Sequence, residues 1–137
     1  MAERKWLPQL SELIDRLSIV QLKMIYIPEY AKEYAEEREM IEHDIDILLG
    51  ESQKFRAKEV WAVLVIMLAN RVIWENESKA RLGGPEHDAN LKFTHSINGI
   101  RNRAKNIISD INGERKDYKV DCLAEDIEEE FGNWSIF

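Results

Sequence analysis

The chain is poor in the residues that build special scaffolds. Among its 137 residues it has one cysteine, three prolines and six glycines. A lone Cys122 excludes an intrachain disulfide and any cysteine-rich zinc site. There is no internal repeat, no low-complexity stretch and no alternating run that would suggest a sheet. No apolar run is long. The longest, Val60 to Ala69, is ten residues, about half of what a membrane span needs. The opening Met1 to Trp6 has charges with no long apolar stretch behind them, so no signal peptide is expected there. The sequence therefore predicts a cytoplasmic protein with no membrane partner, an assignment that fits a free cysteine.

Basic charge is also in deficit. Nineteen Lys and Arg stand against 26 Asp and Glu, a net charge of −7. An acidic surface argues against broad nucleic-acid binding, and the tryptophans do not alternate with bases as a stacking platform would require. The acidity is concentrated. Asp121, Glu125, Asp126, Glu128, Glu129 and Glu130 fall in residues 120–137, which carry no Lys or Arg.

What is present is apolar content for one core. Hydrophobic residues make up 45% and charged residues 33%. A single domain of this length buries roughly 68% of its unfolded surface, enough to fold without staples. Prolines stand where helices start and glycines where they stop. The segments between are too long for strands. The pattern predicts an all-α antiparallel bundle: helices over 8–26, 28–49, 53–82 and 85–112, and a short C-terminal one capped by Asp121 and ending at Phe131. In the first, Leu10, Leu13, Leu17, Val20 and Met24 share a face, with Gln21 near its centre, where it is expected to be buried and to need a polar partner. In the second the stripe is Tyr30, Tyr34, Ile41, Ile45 and Leu48. The third is apolar nearly all round at its start, which predicts a central helix with Trp61 and Leu68 buried. Its core line is expected at Val60, Val63, Met67, Asn70, Trp74, Glu77 and Arg81. The fourth has a heptad-type seam, Phe93, Ile97, Ile100, Ala104, Ile107 and Ile111. The short helix offers Leu123, Ile127 and Phe131. A surplus seam and the apolar end Asn133 to Phe137 predict a homo-oligomer, most simply a dimer.

Chemistry-bearing residues form two groups. Glu33, Glu37 and Asp44 on the second helix and Glu77 on the third are inward or edge acids. Carboxylates from facing helices suit Mg²⁺, a hard cation that takes oxygen ligands. The arrangement resembles all-α nucleotide pyrophosphohydrolases, which would imply Mg²⁺-dependent catalysis. Their second spacing, Glu-x-x-Asp, is missing from the third helix, where Glu75-Asn-Glu77-Ser stands. Asn98, Arg101 and Asn102 form the other group with Asn70, Trp74 and Glu77. An Arg-Asn pair on a helix resembles the helical ribonuclease domains of toxin systems. Those place a histidine about four residues on, where this chain has Asn106 and Ile107. His43, His87 and His95 have no i, i+4 partner, so no zinc helix motif exists.

Asn70-Arg-Val-Ile-Trp74-Glu-Asn-Glu77-Ser-Lys-Ala80-Arg81 and Ile97-Asn98-Gly-Ile-Arg101-Asn102 resemble the two signatures of an uncharacterised bacterial helical family, a domain of unknown function. Its patterns are Asn-x-x-Leu-Trp-His-x-Glu-Asp-x-Ala-Arg and Leu-Asn-x-x-Arg-Asn. The likeness covers about residues 60–111. Glu75 replaces the family's His, Ser78 its Asp, and Arg103 an acid. The resemblance implies a helical fold and marks positions without implying a reaction. The function expected is a non-catalytic binding or interaction module with no cofactor. Its polar site lies between helices, lined by Asn70, Trp74, Glu77, Asn98, Arg101 and Asn102. Geometry predicts that Arg101 meets Asn70, Glu37 or Asp44, because a buried unpaired charge is costly.

Overall fold

The computed structural model describes residues 7–50, 54–82 and 87–110, with 78–82 and 87–91 described as backbone only. The described residues contain helices and no strand. They form α1 (Leu10–Tyr26), a 3₁₀ turn at Pro28–Tyr30, α2 (Ala31–Gly50), α3 (Ala57–Leu82) and α4 (His87–Ser109). None of these helices is long and apolar enough to cross a membrane. The expected helix over 121–131 and the chain end lie outside the described residues.

The starts follow local chemistry. Pro28 sets the 3₁₀ turn between α1 and α2, where its missing N–H costs nothing. At the end of α1 the Ile27 N–H bonds the Lys23 carbonyl at 2.8 Å, closing the last turn. α1 begins two residues after Pro8, with Gln9 as its extended N-cap.

α1 is the helix that touches every other. It packs on α2, α3 and α4; α3 packs chiefly on α4; α2 packs on α1 and not on α3. One core results. Leu10, Leu13, Ile14 and Val20 of α1 join Ile41 and Ile45 of α2. Ala62, Val65, Ile66, Ala69 and Ile73 of α3 meet Ile97, Ile100, Ala104 and Ile108 of α4. The small side chains Ala62, Ala69 and Ala104 suit a close approach of two helix backbones, since they add little bulk at the contact.

Two expectations are corrected here. α3 is not central. Its buried face runs through Ala62, Val65, Ile66, Ala69, Asn70, Ile73 and Asn76. The opposite face is open, with Trp61 46% and Leu68 50% exposed, alongside Val60 and Leu64. An all-round apolar helix normally buries every side. Among the described helices α2 does not pack on this flank, and the side chains there are exposed. Gln21 is also exposed, because α1 turns two faces inward and Gln21 belongs to neither.

Candidate functional site

The second inward face of α1 is polar. Ser11, Asp15 and Ser18 follow one another at helical spacing before Leu22, and Ser11 and Leu22 are buried. α3 and α4 bring matching polar groups to it. The Ser109 hydroxyl donates to Ser11 Oγ at 3.0 Å. Gln9 Nε2 donates to Ser11 Oγ and Ser109 Oγ, each at 3.4 Å. Further along, Lys105 Nζ lies 3.8 Å from Asp15 Oδ2.

Asn70 joins the three helices. It is only 3% exposed. Its amide Nδ2 donates to Asp15 Oδ1 at 2.7 Å and to Ser18 Oγ at 2.5 Å. Its Oδ1 accepts from Arg101 Nη1 at 2.9 Å. The chemistry requires an amide. An ionised Asp15 only accepts and Arg101 only donates, so a side chain between them must do both. The same neighbours fix which way the amide points. Ser18 Oγ in turn donates to the Asp15 carbonyl at 2.8 Å, which holds the turn that presents both groups.

Two polar atoms here are buried with no hydrogen-bond partner: Asn98 Oδ1 and Arg101 Nε. They are an acceptor and a donor three residues apart on α4, and i, i+3 positions share a helix face. Glu59 Oε2 is also buried and unpaired. It lies eleven residues before Asn70 on the same helix, about 16 Å along the axis, so it belongs elsewhere.

Of the six residues expected to line the polar site, Asn70 and Arg101 meet directly. Asn98 carries its unpaired acceptor on the same helix as Arg101, and Asn102 follows Arg101, half-buried. Trp74 is drawn away. Its ring stacks on Tyr26 of α1, with centroids 5.7 Å apart. Arg71 covers the same tyrosine at 5.3 Å and bonds Glu75 at 2.9 Å. That hydrogen bond holds the Arg71 guanidinium still further above its ordinary range. Glu77 is exposed.

Glu33, Glu37, Asp44 and Glu77 are not gathered. The first three lie on α2, which does not pack against α3, the helix that carries Glu77. Glu33, Asp44 and Glu77 are exposed. Among the described residues no three of His, Cys, Asp and Glu are grouped as a metal ion would need. Glu37 and Asp44 are not partners of Arg101; Asn70 is. His43 and His95 are exposed, and His43 Nδ1 lies 3.1 Å from Asp44 Oδ1.

Asp15 and Ser18 are absent from the expected site. Their signal is the line Ser11, Asp15, Ser18, Leu22, which hydrophobic periodicity cannot register because three of its members are polar. No family model, curated protein or solved structure matches the chain.

Proposed function

We propose that the protein is a non-catalytic binding module whose α1/α3/α4 polar cluster takes a small phosphorylated polyol, such as a sugar phosphate. The carrying observation is the buried, unpaired pair Arg101 Nε and Asn98 Oδ1. A buried polar group without a partner costs free energy, and a ligand that supplies the partner recovers it. A phosphoryl oxygen accepts from Arg101 Nε, and a ligand hydroxyl donates to Asn98 Oδ1. Charge favours the same class. Arg101, which bonds Asn70, and Lys105, 3.8 Å from Asp15, bring two bases to the cluster.

The frame behind this reading is an antiparallel helical bundle. Two contacts support it: Ser11 with Ser109 and Asp15 with Lys105. Residue numbers rise on α1 as they fall on α4. The family likeness places Asn70 and Arg101 in its two signatures. The Asn70–Arg101 bond gives those positions a shared role, bridging two helices.

Thermal unfolding with added ligands tests the proposal. A hexose phosphate should raise the melting temperature with concentration, since a ligand at 100 times its Kd stabilises by about 2.7 kcal/mol. The free hexose should not. Arg101→Lys keeps the charge but not the guanidinium Nε, and should abolish the shift. If no phosphorylated probe shifts the transition at millimolar concentration, the cluster only fixes helix register. If instead nucleoside triphosphates are cleaved with Mg²⁺ and Glu37→Gln stops it, the pyrophosphohydrolase reading replaces this one.

A further inference from the structure

α2 and α3 both pack on α1 and do not pack on each other. Two helices that rest on a third without touching leave a cleft between them, and its volume is about 550 Å³. α1 contributes Leu17 and Met24 to its lining, α2 Ile45 and Leu49, and α3 Val63 and Met67. Val60 and Leu64 of α3 also line it and are exposed, so they form its lip. A volume of about 300–1,000 Å³, apolar walls and a few placed polar groups are the marks of a small-molecule site. The two methionines add flexible side chains that adapt to the shape of what binds.

Size separates a small molecule from a docked helix. Val60 and Met67 lie seven residues apart, about 10 Å along α3. The cleft's volume spread over that length gives a cross-section of roughly 50 Å². A helix with its side chains has roughly 80–110 Å². The space therefore admits an alkyl chain and is too narrow for a helix of a second copy.

The polar lining decides the ligand's charge. It consists of Ser18, Gln21, Arg38 and Glu42. Ser18 is engaged already, accepting from Asn70 Nδ2 and donating to the Asp15 carbonyl. Arg38 Nε donates to Glu42 Oε1 one turn along α2, so their two charges cancel. Gln21, Arg38 and Glu42 are all partly open to solvent, which puts them at the mouth. A ligand thus meets an apolar interior and a hydrogen-bonding mouth with no charge left over. We propose that the cleft binds an uncharged single-chain amphiphile of the long-chain alcohol class, its chain between α2 and α3 and its hydroxyl at Gln21, Arg38 and Glu42. The site is separate from Arg101 and Asn98, neither of which lines the cleft.

A fluorescent probe tests this on the full-length protein. 1-N-phenylnaphthylamine is uncharged and brightens in apolar surroundings. It should bind saturably, and dodecan-1-ol should displace it. Dodecanoate and dodecylammonium should each compete several-fold more weakly. Val63→Trp fills the cleft and should abolish probe binding. Leu64→Glu, at an exposed position that folding tolerates, sets a charge on the lip and should weaken binding several-fold. Met40→Trp, exposed on α2 and outside the cleft, should leave it unchanged. Glu42→Gln frees Arg38 from its partner and should bring dodecanoate level with the alcohol. Probe binding that is absent, or equal in Leu64→Glu and the wild type, overturns the site. Dodecanoate competing as well as the alcohol on the wild type overturns the uncharged class. A dimer by light scattering that Leu64→Glu dissociates, with no probe bound, would give the cleft to a second copy and overturn the proposal as well.

Discussion

Asn70→Ala should destabilise the protein by about 2–3 kcal/mol, more than its small change in volume suggests. The deletion leaves Asp15 Oδ1, Ser18 Oγ and Arg101 Nη1 without the amide that now meets them. Each is a polar group in a partly buried place, and an unmade buried hydrogen bond costs about 1–3 kcal/mol, more where charge is involved. Asn70→Asp should not rescue it. The new carboxylate would pair with Arg101 but would face Asp15 across what is now a 2.7 Å hydrogen bond. Urea unfolding of the three proteins measures this. Equal stabilities for the wild type and both variants would remove Asn70 from its place as the link between α1, α3 and α4.

Ile66→Ala should be costlier still among apolar changes, roughly 2–5 kcal/mol. Ile66 is fully buried on the inward side of α3, in the core shared with Ile100, Ala104 and Ile108 of α4. Removing its branches leaves a cavity that two packed helices can only partly collapse. Ile66→Val, which loses one methylene, should cost about 1 kcal/mol. Ile47→Ala makes the contrast. Ile47 is 53% exposed on α2, and its loss should stay within about 0.5 kcal/mol. Denaturation midpoints for the three variants check the order. If Ile47→Ala cost as much as Ile66→Ala, the assignment of faces would be wrong.

The helices themselves were readable in the sequence, because proline, glycine and three-four spacing are local signals. α1, α3 and α4 each lie within a residue or a few of the expected limits. The α4 seam was readable for the same reason: Ile97, Ile100 and Ala104 face the core as their period requires. The facing of α3 was not. Its first half is apolar on every side, so periodicity carries no information about which side is covered. Only the tertiary arrangement, with α2 on α1 alone, decides it. The expected core line therefore ran about a quarter-turn off, through Val60 and Met67 instead of Ala62 and Ile66.

The polar cluster was half readable. Counting residues from the α3–α4 connection puts Asn70 level with Asn98 and Arg101, and the Asn70–Arg101 bond follows that arithmetic. The third member was hidden. Asp15 sits between Leu13 and Leu17 on a helix whose most obvious apolar face points toward α2. Nothing local distinguishes an acid that will meet Asn70 from one that will meet water.

The side-chain Nε–H of Arg101 is the most direct witness to the proposed site. Its ¹H–¹⁵N signal can be assigned by comparison with Arg101→Lys and followed during titration with a hexose phosphate. The account predicts a saturable shift of that signal, with little change for the free hexose. It also predicts that the Asn70 side-chain amide signals persist, because the ligand completes the cluster without breaking it. An Arg101 Nε–H signal that stays in place at saturating hexose phosphate, while the Asn70 amide remains protected, would contradict the binding site and leave a polar network that only holds three helices in register.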